Sequence, residues 1–576
     1  MKTPSPGPQS FSFLSIFASF GLILPALAVS SPRSNAQHDT LTWGSCIAYP
    51  TPYECSTFRV PLDYARPSVG STTLSIVRLP ASTSPREGYM FYNPGGPGAS
   101  GVEFVGQHGT ELQAQLGAGW DVLGWDPRGI GGSGSNITLF ETAAEIDTFL
   151  QQLQGTDKFD AHGNLTQSSD VAFFRSKAPE FDEFLQDFDT KYKEKSGDNL
   201  KYVGTCAVVR DLVGMTDAIY GPGSDVNFYG YSYGTLIAAY LTQMFPHRVG
   251  KVIADGVLDG YSWTRTPTVS GLATDIVDAE AALRGWSSAC ASSANCTLAT
   301  LGNGTTEGVL RVIDSVLDTV YKTYDGTKWS LMDFTVNGTL PADIHALPFD
   351  AAASFLYSLL FNSGTWTTLD QSISGLYAIQ NNLTTSLNTR SFPTASRAPI
   401  LKLRSSGWGF ANGAWDQREF VVTCGDSLRT SSNYTTSVVF EELIRISQTV
   451  SPHFGSVLSS RTFCHRWTTR AVERLGDIHS IPEGLNTKPK NVVLVIGNEA
   501  DPITPYVSAQ KLASKKRLGS KARLVKYNSI GHTSVSNPSS CINEVISSYV
   551  KGTVPVDKGD DGPDVVCEVD STPFSA

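Results

Sequence analysis

A serine between two glycines is the residue of this 576-residue chain whose type and spacing most directly indicate chemistry. Residues 230–234 read Gly-Tyr-Ser-Tyr-Gly, and Ser232 lies between an apolar stretch, residues 226–229, and a helix-like run, residues 235–245. A Gly-x-Ser-x-Gly motif between a strand and a helix makes a sharp turn that exposes the serine hydroxyl above the sheet. The glycines leave room for this turn because they carry no Cβ. The motif therefore predicts that Ser232 is a nucleophile.

A serine hydroxyl is a good nucleophile only when a histidine accepts its proton and a carboxylate orients that histidine. With this motif, the acid and the histidine are expected to follow the serine along the chain, in that order. The apolar run of residues 492–496 leads into Asp501, and a second apolar run, residues 522–527, leads through a glycine into His532. A helix-like stretch, residues 506–518, separates the two runs. We therefore predict that this aspartate and this histidine complete a catalytic triad with the serine.

Three other carboxylates remain open for the role of the acid. Glu499 lies in the same loop as the predicted acid, whereas Asp255 and Asp259 follow the strand-like residues 252–254, where some hydrolases carry the acid. Thr504 comes three residues after the predicted acid and could hydrogen-bond its carboxylate in a local turn. It could equally well start a helix before a proline.

Catalysis by acyl transfer also needs donors for the oxyanion that forms on the substrate carbonyl. The backbone N–H of Tyr233, the residue after the nucleophile, is the first predicted donor. The second is expected from a loop after an early strand. Strand-like residues 89–92 lead into Asn-Pro-Gly-Gly-Pro-Gly, residues 93–98, in which Gly95 and Gly96 let the backbone approach a substrate closely.

All of these residues follow short, continuously apolar runs, the pattern of strands that are buried on both faces of a parallel sheet. Groups that follow such strands gather at the carboxyl edge of the sheet, where ligands bind in open α/β folds. The sequence therefore predicts an α/β fold with a doubly wound, mostly parallel sheet. Asp126 and Arg128 follow another such run, residues 121–125, and we interpret them as a structural loop that braces the site.

The length of the chain allows a catalytic core with a large insertion. Residues 1–28 are predicted to be a signal peptide, since a lysine and an apolar run precede an Ala-Leu-Ala site. The core is expected to contain residues 29–260, with an acidic insertion at 136–201, and residues 485–576 with the acid and the histidine. Residues 261–484 lack the buried-strand pattern and are predicted to be a mainly helical cap over the serine.

Four motifs occur together in this order: Asn-Pro-Gly-Gly-Pro-Gly, Asp-Pro-Arg-Gly-x-Gly, Gly-Tyr-Ser-Tyr-Gly-Thr, and Asp-Pro-x-Thr-Pro before a final Gly-His. As a set they resemble the secreted tripeptidyl-aminopeptidase and prolyl-aminopeptidase-like serine hydrolases of the α/β-hydrolase fold, over residues 43–567. The resemblance implies that the family's triad falls on the three residues predicted above, and its oxyanion loop on Gly95 and Gly96. It also implies release of residues or short peptides, tripeptides among them, from free N-termini. Residues 136–201 look longer and more acidic than in bacterial members, a departure that affects the shape of the cleft's rim.

An aminopeptidase must hold the substrate ammonium at a fixed distance from the nucleophile, and carboxylates do this best. The predicted cap contains several, and the sequence does not choose among them: Glu280, Asp343, Asp350, Asp416, Glu419 and Asp426. An esterase or small-molecule acyl hydrolase would need the same triad without this anchor and is the alternative function. A silent hydrolase-fold binding protein is the second alternative, and an intact triad argues against it.

The expected location is extracellular, and the expected partners are peptide or small ester and amide substrates. Formal charge of −10 and a pI near 5.4 argue against nucleic acid and anionic membranes as partners. No cofactor is expected. Seven Asn-x-Ser/Thr sequons agree with secretion from a eukaryote and are candidate glycosylation sites: Asn136, Asn164, Asn295, Asn303, Asn337, Asn382 and Asn433.

Nine cysteines, all beyond the predicted signal peptide, are typical of an oxidising compartment. Local spacing favours Cys46 with Cys55 and Cys290 with Cys296. The next predicted pairs are Cys424 with Cys464 and Cys541 with Cys567, although sequence alone does not fix connectivity. Cys206 is then left over and is interpreted as a buried thiol in a helix. No Cys/His grouping has the spacing of a metal site, so no metal is predicted.

Overall fold

Strands from both ends of the chain build one sheet in the computed structural model. The structure describes residues 41–135, 137–140, 142, 145, 161, 164–322, 349–381, 418–456, 459–475, 488–559, 562–571 and 574. The strands of these residues follow the order β1-β2-β3-β5-β4-β6-β7-β8-β9-β10. In chain order they are β1 (Gly44–Ser45), β2 (Glu54–Pro61), β3 (Ser71–Leu79), β4 (Gly88–Asn93), β5 (Trp120–Trp125), β6 (Val226–Tyr231), β7 (Val249–Asp255), β8 (Val493–Ala500), β9 (Ala522–Ile530) and β10 (Val565–Glu568).

Strands β4 to β10 all pair in parallel. Strands β1, β2 and β3 add an antiparallel edge beside β5. β5 is buried along its whole length, as a strand covered by helices on both faces must be. The order β5-β4-β6 means that the chain reverses direction across the sheet at β4, which creates a crevice at the carboxyl ends of β4 and β6. The predicted nucleophile and oxyanion loop follow these two strands.

The predicted fold class is confirmed: helices cover the mostly parallel sheet. The helices that the structure describes are α1 (Gly101–Leu116), α2 (Ser168–Ser176), α3 (Ala178–Ser196), α4 (Thr205–Tyr220), α5 (Gly234–Met244), α6 (Gly260–Arg265), α7 (Thr268–Asp275), α8 (Ala279–Ala291), α9 (Thr297–Leu301), α10 (Thr306–Lys322), α11 (Phe349–Leu359), α12 (Trp366–Gln380), α13 (Arg418–Asp426), α14 (Thr436–Thr449), α15 (Tyr506–Ala513) and α16 (Ser540–Val550). Among the described residues, none of these helices is long and apolar enough to cross a membrane.

One predicted helix was wrong at its end. The helix-like stretch of residues 506–518 forms α15, which ends at Ala513 because Ser514 has an extended backbone (ψ 157°). The hydroxyl of Ser514 donates to the carbonyl of Lys511 and takes up a group that the helix leaves unpaired. Leu518, the apolar residue at the end of the predicted stretch, reaches the core through a turn rather than along the helix.

Helices α7 to α14, between β7 and β8, share one apolar cluster with α2 and α3 from the predicted acidic insertion. Aromatic rings join the two segments: Phe174 stacks on Phe440 with ring centroids 4.3 Å apart, and Phe188 meets Phe420 edge-on at 5.3 Å. Burying such a ring stabilises the fold by roughly 1.5–3 kcal/mol relative to leaving it exposed. Helices α2 and α3 therefore pack with the helical layer. Residues Thr40–Ala576 form one compact unit, and the predicted division at residues 260 and 485 stays a prediction.

The loop after β5 is built as a brace. Arg128 and Asp211 on α4 are both completely buried and form two hydrogen bonds of 2.7 and 2.6 Å. Asp126 accepts from the hydroxyl of Ser100 and the backbone N–H of Val102, and so holds the first turn of α1. These contacts connect the loop to the two helices beside it.

Candidate active site

The turn after β6 has the geometry of a nucleophile elbow. Ser232 has φ 54°, in the left-handed region that side-chain-bearing residues rarely adopt. Its backbone N–H donates to the carbonyl of Asp255 at 2.9 Å, which fixes the turn against the neighbouring strand. A Cβ on Gly230 would lie 2.3 Å from the carbonyl oxygen of Gly234, so the flanking glycine is needed for the close approach. Such a backbone costs about 1–3 kcal/mol and persists where the surroundings enforce it.

The glycine loop after β4 lies directly against this turn. A Cβ on Gly95 would be 2.8 Å from the Cβ of Ser232 and 3.1 Å from the backbone nitrogen of Tyr233. The N–H of Gly95 donates to the side chain of Asn93 at 3.1 Å. Among the residues that the structure describes, the N–H groups of Tyr233 and Gly96 donate no hydrogen bond. Of the predicted oxyanion donors, these two are therefore available to a substrate.

His532 and Asp501 are brought together from the ends of β9 and β8. Nδ1 of His532 lies 3.0 and 3.1 Å from the two carboxylate oxygens of Asp501. The backbone N–H of His532 donates to the carbonyl of Phe361 at 2.7 Å, and the Phe361 ring meets the imidazole edge-on at 5.4 Å. This contact fixes the histidine from the helical layer, and sequence analysis missed it because nothing in the segment around Phe361 forms a motif. Nε2 of His532 remains for the nucleophile.

Asp501 is completely buried yet well supplied with donors. It accepts from the backbone N–H groups of Ile503, Thr504 and Thr533 at 2.9–3.0 Å, and from the Thr504 hydroxyl at 2.7 Å. Burial would raise the pKa of Asp501, but the charge of His532 and the hydrogen bonds from His532 and Thr504 lower it below its ordinary value. The carboxylate is thus held in its charged form beside the imidazole.

The other candidate acids have different partners. Glu499 is exposed and binds Lys526, and Asp259 caps α6 and pairs with Lys511. Asp255 is completely buried and accepts from the hydroxyl of Tyr229 and from the backbone of Ser534. Burial raises the pKa of Asp255 to about 6 in spite of these donors. None of the three forms a hydrogen bond to His532 within the described chain.

Ser232 and His532 open into one cavity of about 1840 Å³. The helical layer contributes polar side chains to its lining: Asp275, Arg418, Glu419, Thr423, Ser460 and Arg461. Asp275 is buried and pairs with Arg461 at 2.5 Å; burial raises the pKa of Asp275 to about 6 although the charge of Arg461 opposes this. Sequence analysis missed this ion pair because its residues lie far apart in the chain and in no motif.

The carboxylates that could bind the substrate ammonium differ in whether they line this cavity. Glu419 lines the cavity and accepts from the hydroxyl of Ser460 at 2.6 Å. Glu280 binds His453 and Ser451 and does not line the cavity, and Asp426 is buried against Thr205. The candidates Asp343 and Asp416, and the side chain of Asp350, lie outside the described residues.

Four disulfides pair the cysteines as predicted: Cys46 with Cys55, Cys290 with Cys296, Cys424 with Cys464, and Cys541 with Cys567. Cys206 is buried in α4 and belongs to none of these four disulfides. Asp370 lies beside the second disulfide, where its carboxylate accepts from the backbone N–H of Leu298, a contact that needs no metal.

The predicted signal peptide and the sequons Asn136, Asn337 and Asn382 lie outside the described residues. Among the other sequons, Asn295, Asn303 and Asn433 are exposed and Asn164 is half-buried.

Two protein-family models match the chain. Residues 90–275 match the model described as the alpha/beta hydrolase fold, and residues 451–567 match the model described as TAP-like protein. The first match contains the predicted nucleophile and oxyanion loop, and the second contains the predicted acid and histidine. These are the two segments whose strands meet at the carboxyl edge of the sheet.

Curated relatives agree with the family models. Serine protease Hip1 of Mycobacterium tuberculosis is 25% identical over 511 residues, which cover 87% of this chain and 86% of the relative. Tripeptidyl aminopeptidase of Streptomyces lividans is 29% identical over 226 residues, 38% of each chain. Carboxylesterase B of Mycobacterium tuberculosis is 26% identical over 576 residues, 94% of this chain and 96% of the relative. The chain is therefore a hydrolase of the α/β-hydrolase fold with a TAP-like C-terminal region, related to serine proteases and tripeptidyl aminopeptidases.

Proposed function

We propose that the protein is a secreted serine exopeptidase in which Ser232, Asp501 and His532 form the catalytic triad. The observation that carries this proposal is the contact of His532 Nδ1 with the buried Asp501 carboxylate, in the same cavity as a serine on a left-handed turn. A carboxylate on Nδ1 fixes the tautomer that presents Nε2 to the nucleophile. The related serine proteases and tripeptidyl aminopeptidase support peptide substrates.

In the proposed reaction, Ser232 Oγ attacks the substrate carbonyl while His532 Nε2 takes its proton. The histidine then protonates the leaving amine, and an acyl-enzyme remains on the serine. A water molecule, deprotonated by the same nitrogen, releases the acyl group and restores the serine. The N–H groups of Tyr233 and Gly96 would stabilise the oxyanion in both steps, a contribution of about 2.7–4 kcal/mol per donor in a comparable site.

The exopeptidase part of the proposal requires a carboxylate for the substrate ammonium, and we assign this role to Glu419. It lines the cavity beside the hydroxyl donor Ser460. Asp275 is the other carboxylate that the helical layer contributes to the lining, and it is buried in an ion pair with Arg461. Glu419→Gln should raise KM for peptides with a free N-terminus, with little change for N-acetylated substrates, because only the former carry the ammonium. Equal effects on both substrates would remove Glu419 as the anchor.

An esterase is the second candidate function, because Carboxylesterase B aligns over nearly the whole chain. The two functions share the triad and differ in the substrate that the cavity accepts. The deciding experiment compares free and N-blocked mono-, di- and tripeptidyl chromogenic amides with a short acyl ester. Cleavage of only the free peptides supports the exopeptidase, and the preferred length names its subclass. Turnover of the ester alone would reject the peptidase and retain the triad.

Triad variants test the assignment of the chemistry. Ser232→Ala and His532→Ala should abolish turnover, and Asp501→Asn should lower kcat by about four orders of magnitude because it disfavours the required tautomer. Asp255→Asn is the matched control, since this carboxylate is equally buried but bonds to Tyr229 and Ser534. Full activity of Asp501→Asn, with loss in Asp255→Asn, would move the acid to the neighbouring strand.

A further inference from the structure

Tyr233 supplies one proposed oxyanion donor through its backbone, and its side chain ends in a buried hydrogen-bonded chain. The Tyr233 hydroxyl lies 2.6 Å from Oγ1 of Thr205, the first residue of α4. Oγ1 of Thr205 in turn donates to a carboxylate oxygen of Asp426, the last residue of α13. All three side chains are at most 3% exposed. The chain therefore runs from the nucleophile elbow through the core to the helical layer.

The direction of each hydrogen bond follows from the groups involved. An ionised carboxylate only accepts, so the single hydroxyl proton of Thr205 is directed to Asp426. Tyr233 must then donate its own proton to Thr205. Asp426 also accepts from the backbone N–H of Thr205 at 3.0 Å and from Nε1 of Trp263 at 3.2 Å. This series of hydrogen bonds thus ends on one carboxylate, and each hydroxyl in it has a single orientation.

The same carboxylate is connected to the wall of the substrate cavity. Trp263 lines the cavity, and its ring lies 6.0 Å from that of Tyr233. Thr423, one turn before Asp426 on α13, lines the cavity as well. One buried carboxylate therefore holds both a side chain that lines the cavity, Trp263, and the hydrogen bonds that end at Tyr233.

We propose that Asp426 is a positioning residue that, through Thr205, fixes the direction of the Tyr233 backbone N–H toward the developing oxyanion. The Tyr233 peptide follows a left-handed residue, and rotation of that peptide unit would swing the N–H away from the substrate carbonyl. Anchoring the far end of the ring opposes this rotation. Preorganised donors act because no reorganisation is needed when charge develops, so a loosened donor costs transition-state binding. The inference rests on the proposed function, since it presumes attack by Ser232.

Deletion of single hydroxyls tests the proposal without removing an element. Tyr233→Phe and Thr205→Val should each lower kcat by about tenfold, a fraction of the 10²–10³ measured for outright removal of a donor. The Kd of a tripeptidyl p-nitroanilide, measured on the Ser232→Ala background, should not change, because the ground-state carbonyl carries no full charge. Labelling by a fluorophosphonate, whose adduct places an oxygen among the same donors, should slow in parallel with kcat. Thr205→Ser retains the hydroxyl and should restore wild-type kcat.

Coupling between the variants separates positioning from general loosening. Both hydroxyls act through one chain, so Tyr233→Phe/Thr205→Val should lose no more kcat than either single change. Asp426→Asn places an amide donor against the Thr205 donors and should also lower kcat. Combining it with either hydroxyl deletion should cause no further loss of kcat. Tyr92→Phe is the control, because within the described residues its buried hydroxyl has no hydrogen-bond partner, and kcat should stay unchanged.

The outcomes distinguish this inference from the proposed function. Wild-type activity in Ser232→Ala would overturn the proposed function and the inference with it. An inactive Ser232→Ala together with wild-type kcat in Tyr233→Phe would overturn the inference alone. Multiplicative losses in the double variant, or a loss that appears in the peptide Kd instead of kcat, would likewise show that the chain is structural and does not position the donor.

Discussion

At the scale of residues, the proposed catalytic acid is stabilised by its neighbours and not by solvent. Asp501 receives hydrogen bonds from three backbone N–H groups and from the hydroxyl of Thr504, in addition to His532. The Thr504 hydroxyl also lies 3.0 Å from His532 Nδ1. The sequence indicated a contact between Thr504 and the carboxylate as one of two equal options, and its position next to the imidazole follows only from how the two loops meet.

Thr504→Val should lower kcat/KM by about tenfold, because one hydrogen bond to a charged group is worth roughly 1.5–3 kcal/mol and part of it supports the imidazole. Thr504→Ser keeps the hydroxyl and serves as the control. Equal kcat/KM for the valine and serine variants would show that the hydroxyl has no part in orienting the histidine.

At the scale of elements, the strands and the elbow could be predicted from sequence because their signals are local. A short apolar run precedes each of Ser232, Asp501 and His532. Each run predicts a buried strand, and the end of that strand predicts where the functional side chain lies. The helical layer could not be derived in this way. Its ion pair of Asp275 with Arg461 and the carbonyl of Phe361 that holds His532 depend on contacts between distant segments.

One such contact joins three parts of the helical layer. His453, after α14, places Nδ1 2.8 Å from Glu280 on α8 and Nε2 2.9 Å from Asp314 on α10. Burial would lower the pKa of His453, but the hydrogen bonds and charges of Asp314 and Glu280 raise it to about 9. Both ring nitrogens can donate only when the imidazole is protonated, so the bridge is a cation between two carboxylates.

The stabilisation from this bridge should depend on pH in a defined direction. Because the folded pKa of His453 lies above the unfolded value of about 6.5, the contribution is complete below that pH and lost as pH rises through about 9. The pKa of Glu280 is lowered, so its share is lost in acid. Thermal melts of wild type and His453→Gln should therefore differ most near about pH 6 and converge above about pH 10. A Tm difference that is constant across this range would contradict the bridge.

At the scale of the whole molecule, four disulfides and exposed sequons agree with a chain made for an oxidising compartment. Local spacing favours the two short pairs, whose partners are 9 and 6 residues apart, whereas the pairs with partners 40 and 26 residues apart are only the next predictions because sequence alone does not fix connectivity. The sequons are less informative one by one. Asn303 and Asn433 are exposed, while Nδ2 of Asn295 donates to the carbonyl of Phe574 at 2.9 Å, a bond that a glycan would replace.

Expression in a eukaryotic host should deliver the protein to the medium with glycans on Asn303 and Asn433. Endoglycosidase treatment should increase its mobility on a gel, and Asn303→Gln and Asn433→Gln should each remove one step of the shift. Asn537, which precedes a proline and is buried, is the matched control and should carry no glycan. Retention of the full-length chain inside the cell would contradict the predicted signal peptide.

The insertion of residues 136–201 has a consequence for how a substrate enters. Because α2 and α3 share an apolar cluster with α7 to α14, the helical layer is built from two segments of the chain, one between β5 and β6 and one between β7 and β8. A layer that is connected to the sheet through both segments has less freedom to rotate about one hinge than a layer that is connected through one segment. The entrance is therefore expected to keep a fixed width. Peptides with an extended N-terminus that can enter it are the expected substrates of the proposed exopeptidase. Folded proteins with a buried N-terminus should resist cleavage.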